Sequence, residues 1–210
     1  MPIVFAYPGG VKQYQAECGE FCPYKPDECP ECATSGRLVK HGVYWRKPRD
    51  GERVYWIAIH RWRCQACGHT VSALPDFLLS FRWYLLAVVS GVLVGRAEKG
   101  ASWSDLQAEA AEGPHVRTMR RWWISLGTQA GRWLAGMQTF LAQQDSCSPW
   151  LDAHGEALRA ENAIQALLGA AGHLLAWAKS RWAQLAHSGW EDRLRFLWLW
   201  GSGRGIGRLV

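Results

Sequence analysis

Cys29-Pro30-Glu31-Cys32, followed after 31 residues by Cys64-Gln65-Ala66-Cys67-Gly68, is the stretch on which the fold turns. Two residues between paired cysteines let both sulfurs of a tight turn reach one ion, and Gly68 permits the positive backbone dihedral that such a knuckle requires. The spacer reads as a β-hairpin. Leu38 to Lys47 and Arg53 to Arg63 are rich in Val, Ile, Tyr and Trp, and Arg49-Asp50-Gly51 between them is a turn signal. Two knuckles joined by a hairpin predict a zinc ribbon, with one structural Zn2+ on Cys29, Cys32, Cys64 and Cys67. Four thiolates close the coordination sphere, so such an ion folds the ribbon and leaves no open position for substrate. Metal-coupled folding is worth on the order of 10 kcal/mol in small zinc domains, more than a hairpin alone supplies.

In the second strand Val54, Trp56, Ala58, His60 and Trp62 share one face, while Tyr55, Ile57, Ile59, Arg61 and Arg63 share the other. Both faces are aromatic or β-branched, which predicts that part of the hairpin packs on another domain. Cys18 and Cys22 leave two readings open. They form a second metal site with His41, His60 or His69, or compete for the ion held by Cys29 and Cys32; or they are an unpaired N-terminal feature, which their three-residue spacer favours. Cys147, with no His or Cys close in sequence, reads as a spectator.

The chain has 210 residues, 49% of them hydrophobic, which is room for one substantial domain or two small ones and excludes disorder. Its 24 basic and 18 acidic residues give a net charge of +6, favouring an anionic partner. The excess is concentrated in two blocks. Residues 33–70 carry 8 basic and 2 acidic side chains, and residues 113–144 carry 4 basic and none acidic. Seven cysteines, an odd number, and an N-terminus without a secretory signal predict a reduced, cytoplasmic protein. The longest apolar stretches, Trp83 to Gly95 and Asn162 to Ala178, fall short of the ~20 residues of a membrane span, so no membrane partner is expected. The 14 tryptophans are scattered and imply core rather than one aromatic platform.

After the ribbon, Leu74-Pro75-Asp76-Phe77 breaks the strand pattern and an apolar helix is expected from about Tyr84 to Gly95. Ser102 with Asp105 three residues on is an N-terminal capping pair for a short helix to Glu112, which Gly113-Pro114 stops. From Val116, apolar residues at 116, 119, 123, 126, 130, 133 and 137 predict a longer helix with one buried stripe. Arg117, Arg121, Ser125, Thr128 and Arg132 fall on its opposite face. A short helix, a Gly-containing turn and a basic helix is the helix-turn-helix layout. It aims His115, Arg117, Thr118, Arg120, Arg121 and Arg132 at bases or phosphates, a task that suits the planar fork of arginine. The same charge pattern also fits a solvated helix face. Arg46, Lys47, Arg49 and Arg53 are candidate phosphate contacts of the ribbon.

Cys29-Pro30-Glu31-Cys32, His41-Gly42-Val43-Tyr44, the run His60 to Thr70 and Leu74-Pro75-Asp76-Phe77-Leu78-Leu79, together with Arg117 to Trp122, resemble the zinc-ribbon and helix-turn-helix proteins of bacterial mobile elements, transposase-like chains or domains of unknown function. The resemblance covers roughly residues 1–140. It implies duplex DNA as partner, a cytoplasmic and nucleoid-associated bacterial setting, and no catalysis. An acidic-triad transposase needs three carboxylates on a larger fold, and Asp145, Asp152, Glu156 and Glu161 read as a solvated face. The expected class is α+β, with an N-terminal arm and zinc ribbon over 1–76, a helix-turn-helix domain over 77–141, a linker over 142–149 and a C-terminal helical segment with a Gly-rich tail over 150–210. The C-terminal helices either complete the core or make a homodimer; the tail is flexible or docked. Three functions fit: a non-catalytic DNA-binding accessory or regulatory protein, an interaction module docking on a transposition or transcription assembly, and an inactive transposase remnant.

Overall fold

The computed structural model describes residues 2–19, 21–108, 112–144, 162–182, 192–204, 206 and 209. Among them the chain is α+β, with one four-stranded sheet and six helices. It divides into two compact units, 1–86 and 87–210.

The first unit is built on β1 (Pro2–Phe5), α1 (Val11–Glu17), β2 (Leu38–Arg46), β3 (Ile57–Cys64) and β4 (Thr70–Pro75). The sheet order is β1-β4-β3-β2. β2 and β3 form the expected hairpin, pairing Leu38 with Cys64 and Arg46 with Ile57, with an irregularity between Lys40 and Gly42. What the hairpin packs on is supplied by its own unit. β4 pairs antiparallel with β3, and β1 adds parallel to β4 with Val4 opposite Leu74. Tyr14 of α1 is fully buried and donates its hydroxyl to the Ala58 carbonyl at 3.1 Å. Leu74 and Pro75 therefore finish β4, where the Pro-containing pattern predicts a break. Proline is tolerated there because it is the last strand residue.

Residue 76, the expected end of the ribbon domain, falls inside this unit. Asp76 N–H bonds the Phe5 carbonyl at 2.9 Å, Phe77, Leu78 and Leu79 are buried, and Leu86 N–H returns to the Phe77 carbonyl at 2.9 Å.

The second unit contains α2 (Leu86–Lys99, beginning at the border), α3 (Trp103–Ala108), α4 (Val116–Gln144), α5 (Ala163–Arg181) and α6 (Arg193–Ser202). The capping pair is reciprocal: Asp105 N–H donates to Ser102 Oγ at 3.1 Å and Ser102 N–H to Asp105 Oδ2 at 3.2 Å. Helix α4 buries Met119, Trp122, Leu126, Ala130, Trp133, Leu134, Met137 and Leu141. The stripe passes through Trp122, which is 3% exposed, and not through Trp123, which is only half-buried; spacings of three and four lead from Met119 to Leu126 through either residue, and packing selects Trp122. Asn162 caps α5 and Asp192 caps α6 through their side-chain oxygens, and Ser90 on α2 donates to Asp192 at 2.8 Å.

Helix α6 was not anticipated, and Gly201 of the glycine-dense run lies inside it. A β-carbon there would overlap the Trp133 ring, so glycine is what lets α6 approach α4. Ile206 and Leu209 are buried, so these two residues of the tail are docked. Residues 142–144 belong to α4, while 145–149, Cys147 and the carboxylates Asp145, Asp152, Glu156 and Glu161 lie outside the described residues. No described helix is long and apolar enough to cross a membrane.

Candidate metal centre and basic helix

The two cysteine pairs fold into knuckles with the same wiring. In the first, Cys29 N–H bonds the Thr34 carbonyl at 3.1 Å and Ala33 N–H returns to the Cys29 carbonyl at 2.8 Å. In the second, Cys64 N–H bonds the His69 carbonyl at 2.9 Å and Gly68 N–H returns to the Cys64 carbonyl at 2.9 Å. Both turns need a left-handed residue after their second cysteine. Gly68 takes it at φ 77°, as its sequence position predicts; Ala33 takes it at φ 52°, where a side chain is disfavoured.

The register of β2 on β3 and the return of β4 bring the knuckles together. The Sγ atoms of Cys29, Cys32, Cys64 and Cys67 all lie within 4.8 Å of one another, with Cys29 to Cys67 at 3.7 Å and Cys32 to Cys64 at 3.8 Å. They can together hold a metal ion. The first cysteine of each knuckle, Cys29 and Cys64, is fully buried in a small cluster with Leu38 and Val71, against which Ile3, Trp62 and Cys67 pack. The second cysteines face outward, Cys32 exposed and Cys67 half-buried. The anchored sulfurs are thus set by the sheet core and the outer two by the turns.

Thr34, unremarked in the sequence, completes the first turn. Its hydroxyl, 3.3 Å from the sulfur, and its backbone N–H hold the Cys32 thiol down at about 6. The backbone N–H of His69 pulls Cys67 down, but desolvation and the adjoining Cys32, Cys29 and Cys64 sulfurs outweigh it and push that thiol up to about 12. Cys32 ionises readily, and a full set of thiolates is favourable only around a cation.

Cys18 and Cys22 stand apart. Among the described residues the four-cysteine group is the only set of three or more such ligands brought together, and it includes neither. Burial raises both of their thiols, and Cys22 Sγ donates to the Tyr24 carbonyl at 2.8 Å. His60 is fully buried, with Nε2 3.1 Å from the Cys18 carbonyl; since a carbonyl only accepts, the ring proton is on Nε2.

On α4, Arg117, Arg120, Arg121 and Arg132 are exposed, while Thr118 is half-buried. His115 is exposed, but its Nδ1 accepts from Arg117 N–H at 3.2 Å and its carbonyl accepts from Met119 at 3.2 Å, so it caps the helix. Arg120 also lines an open groove of about 740 Å³ with Arg96, Lys99, Trp103, Trp123 and Asn162. There the Trp103 and Trp123 rings meet edge to face at 6.0 Å and Arg96 lies 5.0 Å above Trp103.

The ribbon cations separate into two kinds. Arg46 is half-buried and its guanidinium donates to the Leu79 carbonyl at 2.9 Å and to the Arg82 carbonyl, so it ties β2 to the segment after β4. Lys47, Arg49 and Arg53 are exposed, with Lys47 Nζ 4.0 Å from the centre of the exposed Trp56 ring.

Residues 29–122 match a family model described as a domain of unknown function, DUF6431. The matched stretch holds all four clustered cysteines and α4 as far as Trp122. No curated protein and no solved structure matches the chain.

Proposed function

We infer that the protein is a non-catalytic, zinc-containing DNA-binding protein, with the cysteine hairpin as a zinc ribbon and α3–α4 as a helix-turn-helix. The observation that carries this reading is α4: four exposed arginines, Arg117, Arg121 and Arg132 opposite a fully apolar buried stripe and Arg120 flanking it, in a 32-residue block, 113–144, without one acid. A helix of that kind meets phosphates and base edges without like-charge repulsion from its own carboxylates. The reciprocally capped α3 stands before it, and the groove beside Arg120 adds Arg96 and Lys99 against one carboxylate, Glu98, which pairs with Arg193. The resemblance to mobile-element proteins assigns it an accessory or regulatory part in such an element.

Zinc is supported by sulfur spacing. Tetrahedral Zn–S bonds of about 2.3 Å place the sulfurs about 3.8 Å apart. The spans from Cys29 to Cys67 and from Cys32 to Cys64 are 3.7 and 3.8 Å. Four soft thiolates suit Zn2+ over oxygen-seeking cations.

Binding of the zinc-loaded protein to random duplex DNA across a salt series tests the reading, with metal content measured on the same sample. Affinity should fall steeply as salt rises. Arg117→Ala and Arg121→Ala should each cost about 1–3 kcal/mol of DNA affinity with zinc content unchanged. No binding at low salt by a protein carrying one equivalent of zinc would overturn it. A second reading, a module docking on a transposition or transcription assembly, is favoured by the exposed Trp45 and Trp56, whose rings lie 6.5 Å apart.

A further inference from the structure

The first unit carries a second cationic site, remote in sequence from α4. On the sheet face shared by Pro2, Ser72, Arg61 and Tyr44, a pocket of about 490 Å³ opens, lined also by Arg46, Thr70, Leu74, Ser80 and Phe81. Its volume lies in the range of small-molecule sites. The lining holds two guanidiniums and four hydroxyls, with no carboxylate to neutralise them.

Three observations make it a site rather than a crevice. First, Arg61 Nε and Ser80 Oγ are buried and have no hydrogen-bond partner among the described residues. An unsatisfied buried donor of this kind is costly unless a ligand meets it. Second, the β2 irregularity falls where Gly42 pairs with Arg61, and Gly42 sits at φ 129° with its missing β-carbon site 3.6 Å from Arg61 Nη2. Bulges commonly re-aim a side chain beside a functional site. Third, Phe81 is 73% exposed at the rim and held at φ 59°, a conformation unfavourable for a bulky residue.

Arg46 is already engaged with main-chain carbonyls, so it lends charge to the pocket while Arg61 has donors to offer. A fork of N–H donors with hydroxyls beside it recognises a phosphate ester, and an exposed ring at its rim recognises a planar base. We propose that this pocket binds a phosphorylated nucleotide unit, with Arg61 and Ser80 on the phosphate and Phe81 against the base. The unit comes either from a free nucleotide or from a single nucleic-acid strand. This site is independent of the duplex-reading helix.

The test titrates the full-length zinc-loaded protein at low salt with inorganic phosphate, a nucleoside 5′-monophosphate and a single-stranded oligothymidine, following heat and tryptophan fluorescence. Arg61→Gln should weaken the nucleotide at least tenfold. Phe81→Ala, at an exposed position, should weaken nucleotide and oligonucleotide by about tenfold while leaving phosphate unchanged. Equal affinity for nucleotide and oligonucleotide identifies a free nucleotide as the source, and much tighter oligonucleotide binding identifies a strand. Binding of none of the three, or wild-type affinity in both Arg61→Gln and Phe81→Ala, would overturn the proposal whatever the outcome with duplex DNA.

Discussion

The sheet unit and the helical unit reach a buried core by opposite routes. In the sheet unit, strands from the two ends of an 86-residue stretch must meet: β1 pairs with β4, and the second knuckle closes on the first across the hairpin. Every such contact is long-range, and the cluster of Cys29, Leu38, Cys64 and Val71 beneath the sulfurs is small. In the helical unit each helix forms locally and then buries a stripe; the Trp133, Trp200, Phe140 and Trp177 rings mesh where α4, α5 and α6 meet. A unit with many non-local contacts and a small core gains most from a cross-link, whereas a stripe-packed unit gains most from large side chains.

Metal removal should break this contrast most visibly. Cys64→Ser, or chelation of the wild-type protein, should release one equivalent of metal and cost the first unit on the order of 10 kcal/mol of metal-coupled stability, while most of the helical far-ultraviolet signal stays. A Cys64→Ser protein that keeps one equivalent of zinc and its melting behaviour would refute the four-cysteine assignment. Acid should act in the same direction. Protons compete with the ion for the thiolates, so affinity should fall as pH is lowered through neutrality, and binding should release protons, measurable by calorimetry in buffers of different ionisation heat.

The converse variant is Trp133→Ala, at a fully buried position on α4. It should cost the helical unit about 3–5 kcal/mol in thermal or denaturant unfolding and leave metal content unchanged. Loss of metal in this variant would show that the two units fold as one.

The smallest effect sharpens the comparison within the metal site. Gly68→Ala places a side chain at φ 77° and should destabilise the metal-bound form by about 1 kcal/mol, whereas Ala33→Gly, at φ 52°, should be neutral or stabilising by up to about 1 kcal/mol. Equal effects of the two would mean that the knuckles are not equivalent turns.

The four-cysteine cluster was readable to the residue because paired cysteines two residues apart, a glycine after the second pair and a β-rich spacer are all local features. The Ser102 and Asp105 cap and the start of α4 at Val116 were readable for the same reason. The missing parts have little local signal. β1 is four residues long and needs a parallel partner some 70 residues away, and α1 buries a single tyrosine. Helix α6 is crowded with apolar residues on all sides and ends in glycines, so periodicity did not mark it. At Trp122 and Trp123 the sequence offered two adjacent tryptophans, and packing against the rest of the unit chose between them.

Sequence alone determined the four-cysteine set, the hairpin that joins it, the capped helix and the acid-free basic helix, since spacing and side-chain chemistry are properties of neighbours along the chain. Tertiary structure decided which cysteines stand apart, which arginines are consumed by carbonyls and that Arg61, Ser80 and Phe81 surround one pocket. Those outcomes depend on strand register and on which backbone groups are left to pair, and both are settled only when distant segments pack.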